Sequence, residues 1–319
     1  MKNDSHNRTQ IKFEVVPMEK TISQIETLKK EKDAVILAHY YVNDEVQQIA
    51  DYIGDSYYLA KIAKEVPQSV ICFCGVSFMG ESAKILNPEK TVVMPDKDAD
   101  CPMAHMVDID RIKEVREQYE DVAVVCYINS QADIKQYADV CVTSSNAQKI
   151  VSALPNKNIF FITDENLGRY LASQLPDKNF IFNDGFCHVH KSIEKEEVLK
   201  AKQARPDALV LAHPECTLEV LALADYIGST SGIIDYASKS DAKEFIICTE
   251  MGVFYELNQK NPDKKFYSVG HRQFCPNMKR ITLEKVLKSL QELAPAVEMD
   301  EELSKKAEYP LNRMLELAK

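Results

Sequence analysis

The sequence predicts an α/β fold: three pseudo-threefold-related αβα domains with short parallel sheets, and an active site at the central axis. Three observations predict it. Short apolar runs alternate with helical segments, the pattern of parallel strands joined by helices. Three of those runs, DAVILAHYY, DVAVVCYIN and DALVLAHPE, are alike, and they put His39, Tyr127 and His213 in one column, 88 and then 86 residues apart. The same two steps recur in later columns, and a fixed period of this kind marks repeated structural units.

Each unit reads as helix–strand–helix–strand–helix–strand. The leading helices are expected near 18–32, 107–120 and 192–204, each before one of the three alike strands. Twelve residues past the first column comes an aspartate, at Asp51, Asp139 and Asp225. A hydroxyl cluster follows, GDS, VTSS or GSTS, placed to open a helix. Next come the second strands, VICFCG, IFFITD and FIICTE. NPEK, LPDK and NPDK then keep Pro88, Pro176 and Pro262 in register before a third strand. A last helical pattern, TLEKVLKSLQEL, lies beyond the third unit. The expected domains are residues 1–104, 105–190 and 191–278, with a helical extension over 279–319.

Composition narrows the function. The chain has 319 residues, 45% hydrophobic and 28% charged, a globular balance. Its net charge of −10 argues against a nucleic-acid-binding surface, which needs clustered Lys and Arg. No apolar run approaches the roughly 20 residues of a membrane helix. The opening MKNDSHNRTQIKF lacks the apolar core of a signal peptide. The expected location is therefore cytoplasmic, with no membrane partner. Neither a P-loop nor a GxGxxG fingerprint is present.

The repeat also sorts the nine cysteines. Cys101, Cys187 and Cys275 each follow the third strand of a unit and are spaced 86 and 88 residues apart. A pseudo-threefold axis would bring their loops together, and three thiolates suit a soft metal centre. Structural zinc would want a fourth protein ligand, and iron–sulfur cubanes usually have four cysteines. Three would leave one position open. Cys72, Cys74, Cys126, Cys141 and Cys248 read as strand core, and Cys216 has no counterpart in the other units.

Ligands of parallel α/β units bind at the carboxyl ends of the strands. There Tyr41, Asn129 and Glu215 share a column, a phenol, an amide and a carboxylate suited to acid/base and hydrogen-bonding work. The hydroxyls Ser56, Ser144, Ser145 and Ser229 to Ser231 suit helix caps and, with the helix N-termini, anion binding. The stretch VSFMGES, Val76 to Ser82, is read as a loop able to act as a lid.

Taken together, AHYY, GDSYYLA, CGVSFMGESAKIL, CYINSQADIK, TSSNA, ENLGRYLA, HPEC and GSTSG resemble the motif series of the quinolinate synthase family, from about Val35 to Met278. The resemblance implies condensation of iminoaspartate with dihydroxyacetone phosphate to quinolinate, with loss of water and phosphate, in de novo NAD biosynthesis. It implies a [4Fe-4S] cluster on Cys101, Cys187 and Cys275 with one open iron. It places Tyr41, with His39 beside it, in proton transfer, and Glu215 with His213 as an acid/base pair. It places Tyr127 and Asn129 on substrate carboxylates, and Ser56, Ser144, Ser229 and Thr230 on carboxylate or phosphate. It further implies a supply of iminoaspartate from L-aspartate oxidase or aspartate dehydrogenase. Cys275 stands alone in FCPNMK, without the extra cysteines some members carry, which counts against a disulfide switch there. Other readings of the same cysteines are a different iron–sulfur dehydratase, an iron or redox sensor, and a structural zinc protein.

Overall fold

The computed structural model describes residues 18–319. The segment MKNDSHNRTQIKF, read above as lacking a signal-peptide core, lies within residues 1–17, outside the described residues, as does the start of the first expected domain. Among the described residues no helix is long and apolar enough to cross a membrane.

Three four-stranded parallel sheets carry the fold. The first holds β1 (Ala34–His39), β2 (Tyr52–Gly54), β3 (Val70–Cys74) and β4 (Thr91–Val93). The second holds β5 (Val122–Tyr127), β6 (Val140–Val142), β7 (Asn158–Ile162) and β8 (Asn179–Phe182). The third holds β9 (Leu209–Ala212), β10 (Tyr226–Ile227), β11 (Glu244–Cys248) and β12 (Lys265–Ser268). In every sheet the first strand lies between the second and third, and the fourth is at the far edge. The registers repeat too: Leu37 pairs with Tyr52, Val125 with Val140, and Leu211 with Tyr226.

Each unit therefore has one strand more than the three expected from the sequence. The extra ones, β2, β6 and β10, are edge strands of two or three residues. Such a length is too short to show a periodicity. The recurring aspartate explains how they form. The Oδ2 atoms of Asp51, Asp139 and Asp225 accept the N–H groups of Ile36, Val124 and Val210 at 2.8, 2.7 and 2.8 Å. This fastens each short strand to the central strand beside it.

A second staple recurs in the NPEK, LPDK and NPDK turns. The ammonium groups of Lys90, Lys178 and Lys264 donate to carbonyls at or just past the ends of the helices Ser56–Glu65, Ala147–Ala153 and Thr230–Lys239 of their own units. A cation at a helix C-terminus satisfies orphan carbonyls and meets the negative end of the dipole.

The leading helices run over Met18–Glu31, Ile109–Gln118 and Lys195–Ala204. All six residues of β1 and of β5 are buried, as expected of parallel strands covered on both faces. The helices Leu283–Glu292 and Glu301–Leu317 complete the chain. The last packs on β6 and on the helices Ser77–Leu86 and Ala132–Lys135, joining the first two sheets through one continuous core.

Two local expectations are corrected. VSFMGES is not a loop: Ser77 begins the helix Ser77–Leu86, and Phe78 and Ser82 are buried. Its apolar residues follow a helical rather than an irregular pattern. Nor do all the hydroxyls cap helices. Asp55 caps Ser56–Glu65, accepting the Tyr58 N–H, and Ser229 caps Thr230–Lys239, accepting the Gly232 N–H. In the middle unit Asn146 precedes Ala147–Ala153 and accepts the Thr143 N–H at 2.7 Å. Ser56 and Ser144 are thereby left free of capping work.

Candidate active site

The carboxyl ends of the three sheets open into one cavity. His39, Tyr41, Ser56 and Cys101 enter it from the first unit. Tyr127, Asn129, Ser144 and Cys187 enter from the second, and His213, Glu215, Thr230 and Cys275 from the third. Ser56, Ser144 and Thr230 thus form a true column. Ser229 is the exception among the residues the resemblance placed on substrate: it caps the helix that presents Thr230 and does not line the cavity, and neither do the other candidate hydroxyls Ser145 and Ser231.

The nine cysteines separate by position. All are unpaired; Cys101, Cys187 and Cys275 are partly exposed, while the other six are buried. Those three also line the cavity, and Cys216 does not. Burial pushes the Cys101 thiol up to about 12, with Cys275 adding to the rise. Cys187 and Cys275 are raised as well, burial again the first cause. As thiols they hold their protons, which metal binding would release.

His39 and His213 are set alike. The imidazole Nδ1 of each accepts the N–H two residues on, of Tyr41 at 3.2 Å and of Glu215 at 3.3 Å. Accepting at Nδ1 leaves the proton on Nε2. Burial takes both rings down to about 3, despite the opposing pull of Glu215. They are neutral donors. His213 spends its Nε2 contact on Ser144 Oγ at 3.1 Å.

Glu215 and Tyr41 are joined by residues that sequence reasoning passed over. Glu215 Oε2 lies 2.6 Å from His190 Nδ1. His190 Nε2 lies 2.9 Å from Thr249 Oγ1, and Thr249 Oγ1 lies 2.8 Å from the Tyr41 hydroxyl. The Tyr41 hydroxyl also meets Thr230 Oγ1 at 2.7 Å. Burial alone would raise Glu215, but His190, His213 and the Tyr127 phenol outweigh it and hold the carboxyl below its usual range. With Glu215 ionised and His190 protonated at Nδ1 alone, the donors run in one direction: Tyr41 to Thr249, Thr249 to His190, His190 to Glu215. His190 was legible in principle, three residues after Cys187 in DGFCHVHK. Thr249 carried no signal beyond its place after a second strand.

The site also holds unmet acceptors. Asn129 Oδ1 and Glu215 Oε1 are buried without a hydrogen-bond partner among the described residues. A buried acceptor left bare costs free energy, so both mark positions where a bound ligand can donate. Among the described residues no Lys or Arg lines the cavity. Hydroxyls, neutral imidazoles and the N-termini of Ser56–Glu65 and Thr230–Lys239 are what it offers an anion.

Known proteins resemble the chain along most of its length. The family model described as Quinolinate synthetase A protein matches residues 23–316. The chain is 56% identical over 295 residues to the quinolinate synthase of Fusobacterium nucleatum, spanning 92% of this chain and 98% of that one. It is 50% identical over 301 residues to that of Caldicellulosiruptor saccharolyticus, spanning 94% and 99%. With that of Clostridioides difficile it shares 51% over 295 residues, spanning 92% and 97%.

Proposed function

The chain belongs to the quinolinate synthase family, enzymes of NAD biosynthesis, and on that premise we propose how its cavity carries the reaction. The substrates are iminoaspartate and dihydroxyacetone phosphate, and the products are quinolinate, water and phosphate. The observation that carries this reading is the meeting of Cys101, Cys187 and Cys275 with Glu215 in one cavity.

The residues fit a [4Fe-4S] cluster. Three unpaired, partly exposed thiols from three loops face one space, with no fourth cysteine among the lining residues. Cys101, Cys187 and Cys275 would hold it, and when bound it would supply a Lewis-acid position for a substrate oxygen. Three ligands suit that role, since open positions distinguish catalytic from closed structural sites.

The chain's own groups do the rest. Glu215, ionised and with Oε1 bare, takes a proton from the substrate and later returns one. Tyr41 serves the opposite end of the same hydrogen-bonded chain: when its oxygen takes a proton from the substrate, its own proton passes to Thr249, that of Thr249 to His190, and that of His190 Nδ1 to ionised Glu215, which returns it to the substrate. His39 donates from Nε2 to a substrate oxygen, and His213 fixes Ser144. Tyr127 and Asn129 orient the carboxylates, and Ser56, Ser144 and Thr230 bind carboxylate or phosphate at the helix ends, with Ser229 holding the last helix. An imine substrate hydrolyses readily, so its source is an enzyme that oxidises aspartate. The chain divides for this purpose at 104/105, 190/191 and 278/279.

The test is anaerobic purification with iron and sulfide analysis, together with quinolinate formation from the two precursors. Iron and sulfide near four each per chain are expected. Replacing Cys101, Cys187 or Cys275 by Ser should each remove the cluster and the product. A chain without a cubane, or a cluster indifferent to all three changes, would sink the proposal. A second reading has one observation behind it: Cys187 Sγ, His190 Nδ1 and a Glu215 oxygen lie within 4.8 Å of one another. That set could hold a single ion, and the same analysis separates the two, because a single-ion site contains no sulfide and survives Cys101→Ser.

A further inference from the structure

Each cysteine loop is tied down twice, and the ties follow the repeat. The first tie is backbone to backbone. Ser77, Glu165 and Met251 donate their N–H groups to the carbonyls of Ala99, Gly185 and Gln273, at 2.8, 2.7 and 2.8 Å. Each accepting carbonyl stands two residues before a cavity cysteine.

The second tie is a carboxylate on the N–H of the cysteine itself. Asp164 Oδ2 accepts the Cys187 N–H at 2.9 Å, while its Oδ1 accepts the Leu167 N–H at 2.7 Å. Glu250 Oε1 accepts the Cys275 N–H at 3.0 Å, while its Oε2 accepts the Gly252 N–H at 2.6 Å. Asp164 and Glu250 are fully buried and occupy the same place two residues past the second long strand of their units. In the first unit that place holds Val76, which has no carboxylate to offer. There Asp100 substitutes: its Oδ1 accepts the Cys101 N–H at 2.8 Å, and Ser77 and His105 hold the side chain in place.

Asp164 lies outside the cavity lining, and Glu250, which borders the cavity, has both oxygens on N–H groups and Oε1 also 3.6 Å from Lys279 Nζ, so neither carboxylate has an oxygen left for a substrate. Their geometry serves the loops. We propose that Asp164 and Glu250 are positioning residues for the cluster ligands Cys187 and Cys275, and that Asp100 does the same for Cys101 where Val76 breaks the pattern. The inference rests on the cluster reading given above. Fixing a ligand's backbone before the metal arrives removes the ordering cost from binding, and groups of this kind outside the ligand shell commonly govern metal affinity by about 10–100-fold.

The experiment uses the anaerobically reconstituted full chain and measures how fast excess EDTA bleaches the cluster absorbance. Asp164→Ser keeps a good cap for the helix Glu165–Gln174 but cannot also reach Cys187. Glu250→Gln leaves one acceptor for two N–H groups. Asp225→Ala is the control, since it breaks an N–H···carboxylate bond of the same kind at a sheet edge away from the cysteines. Asp164→Ser and Glu250→Gln should lose the cluster roughly tenfold faster than the wild type. Asp225→Ala should lower the thermal midpoint of the apo form and leave the loss rate unchanged. Cluster loss at the wild-type rate in both variants, or no faster than in Asp225→Ala, overturns the proposal. If Asp164→Ser does not fold, Glu250→Gln decides alone. A wild-type chain that binds no cluster would instead refute the function reading on which the inference stands.

Discussion

At the sheet edges the three units agree, and where they meet they do not. The peripheral columns are identical: Asp51, Asp139 and Asp225 fasten the edge strands, and Lys90, Lys178 and Lys264 close the helix ends. The central columns diverge: Tyr41, Asn129 and Glu215 share one, Gly75, Thr163 and Thr249 another, and Val76, Asp164 and Glu250 a third. Only the cysteines are common to all three units at the centre. The difference separates two physical demands. Every unit must solve the same folding problem, so the same side chain serves three times. A small asymmetric substrate needs an acid, a base and an orienting group in different places, so the repeat has to break. The cysteines keep it, and on the proposed cluster reading three equivalent ligands suit one symmetric metal face.

Glu215→Gln tests the comparison most severely. The amide keeps the shape but cannot take a proton, so turnover should fall by roughly 10²–10⁴-fold while the cluster spectrum persists. An active Glu215→Gln enzyme would move the base elsewhere. Thr249→Val should have a smaller effect, on the order of tenfold, the worth of about one hydrogen bond. It severs Tyr41 from His190 and leaves Glu215 in place. Equal losses in both variants would mean that the chain of hydrogen bonds acts as one unit; an unaffected Thr249→Val enzyme would remove the relay. At the periphery, Asp139→Ala leaves the buried Val124 N–H without its carboxylate. It should cost about 1–3 kcal/mol of stability, seen as a lower unfolding midpoint, with kcat unchanged. A drop in kcat with no change in midpoint would contradict the division between edge and centre.

Legibility followed the same division. The alike strands, the column of aspartates and the three cysteine loops stood out because repetition amplifies a weak signal threefold. The edge strands β2, β6 and β10 did not, since two or three residues hold no period. VSFMGES was misread because a glycine and two serines outweighed its helical spacing. His190, Thr249, Asp164 and Glu250 went unseen for a different reason. The partners that give them their place in the site lie 23 residues or more away along the chain, apart from the Cys187 beside His190, and a hydrogen bond between distant residues leaves no spacing to detect.

By itself the sequence determined the repeat, the α/β class and which three of nine cysteines belong together. Periodicity in a chain is a local property, and apolar patterning enforces it wherever the chain folds. Only the tertiary structure decided how Tyr41 connects to Glu215, and which carboxylates hold the cysteine loops. Those facts depend on distances of about 3 Å between groups that the fold alone brings together.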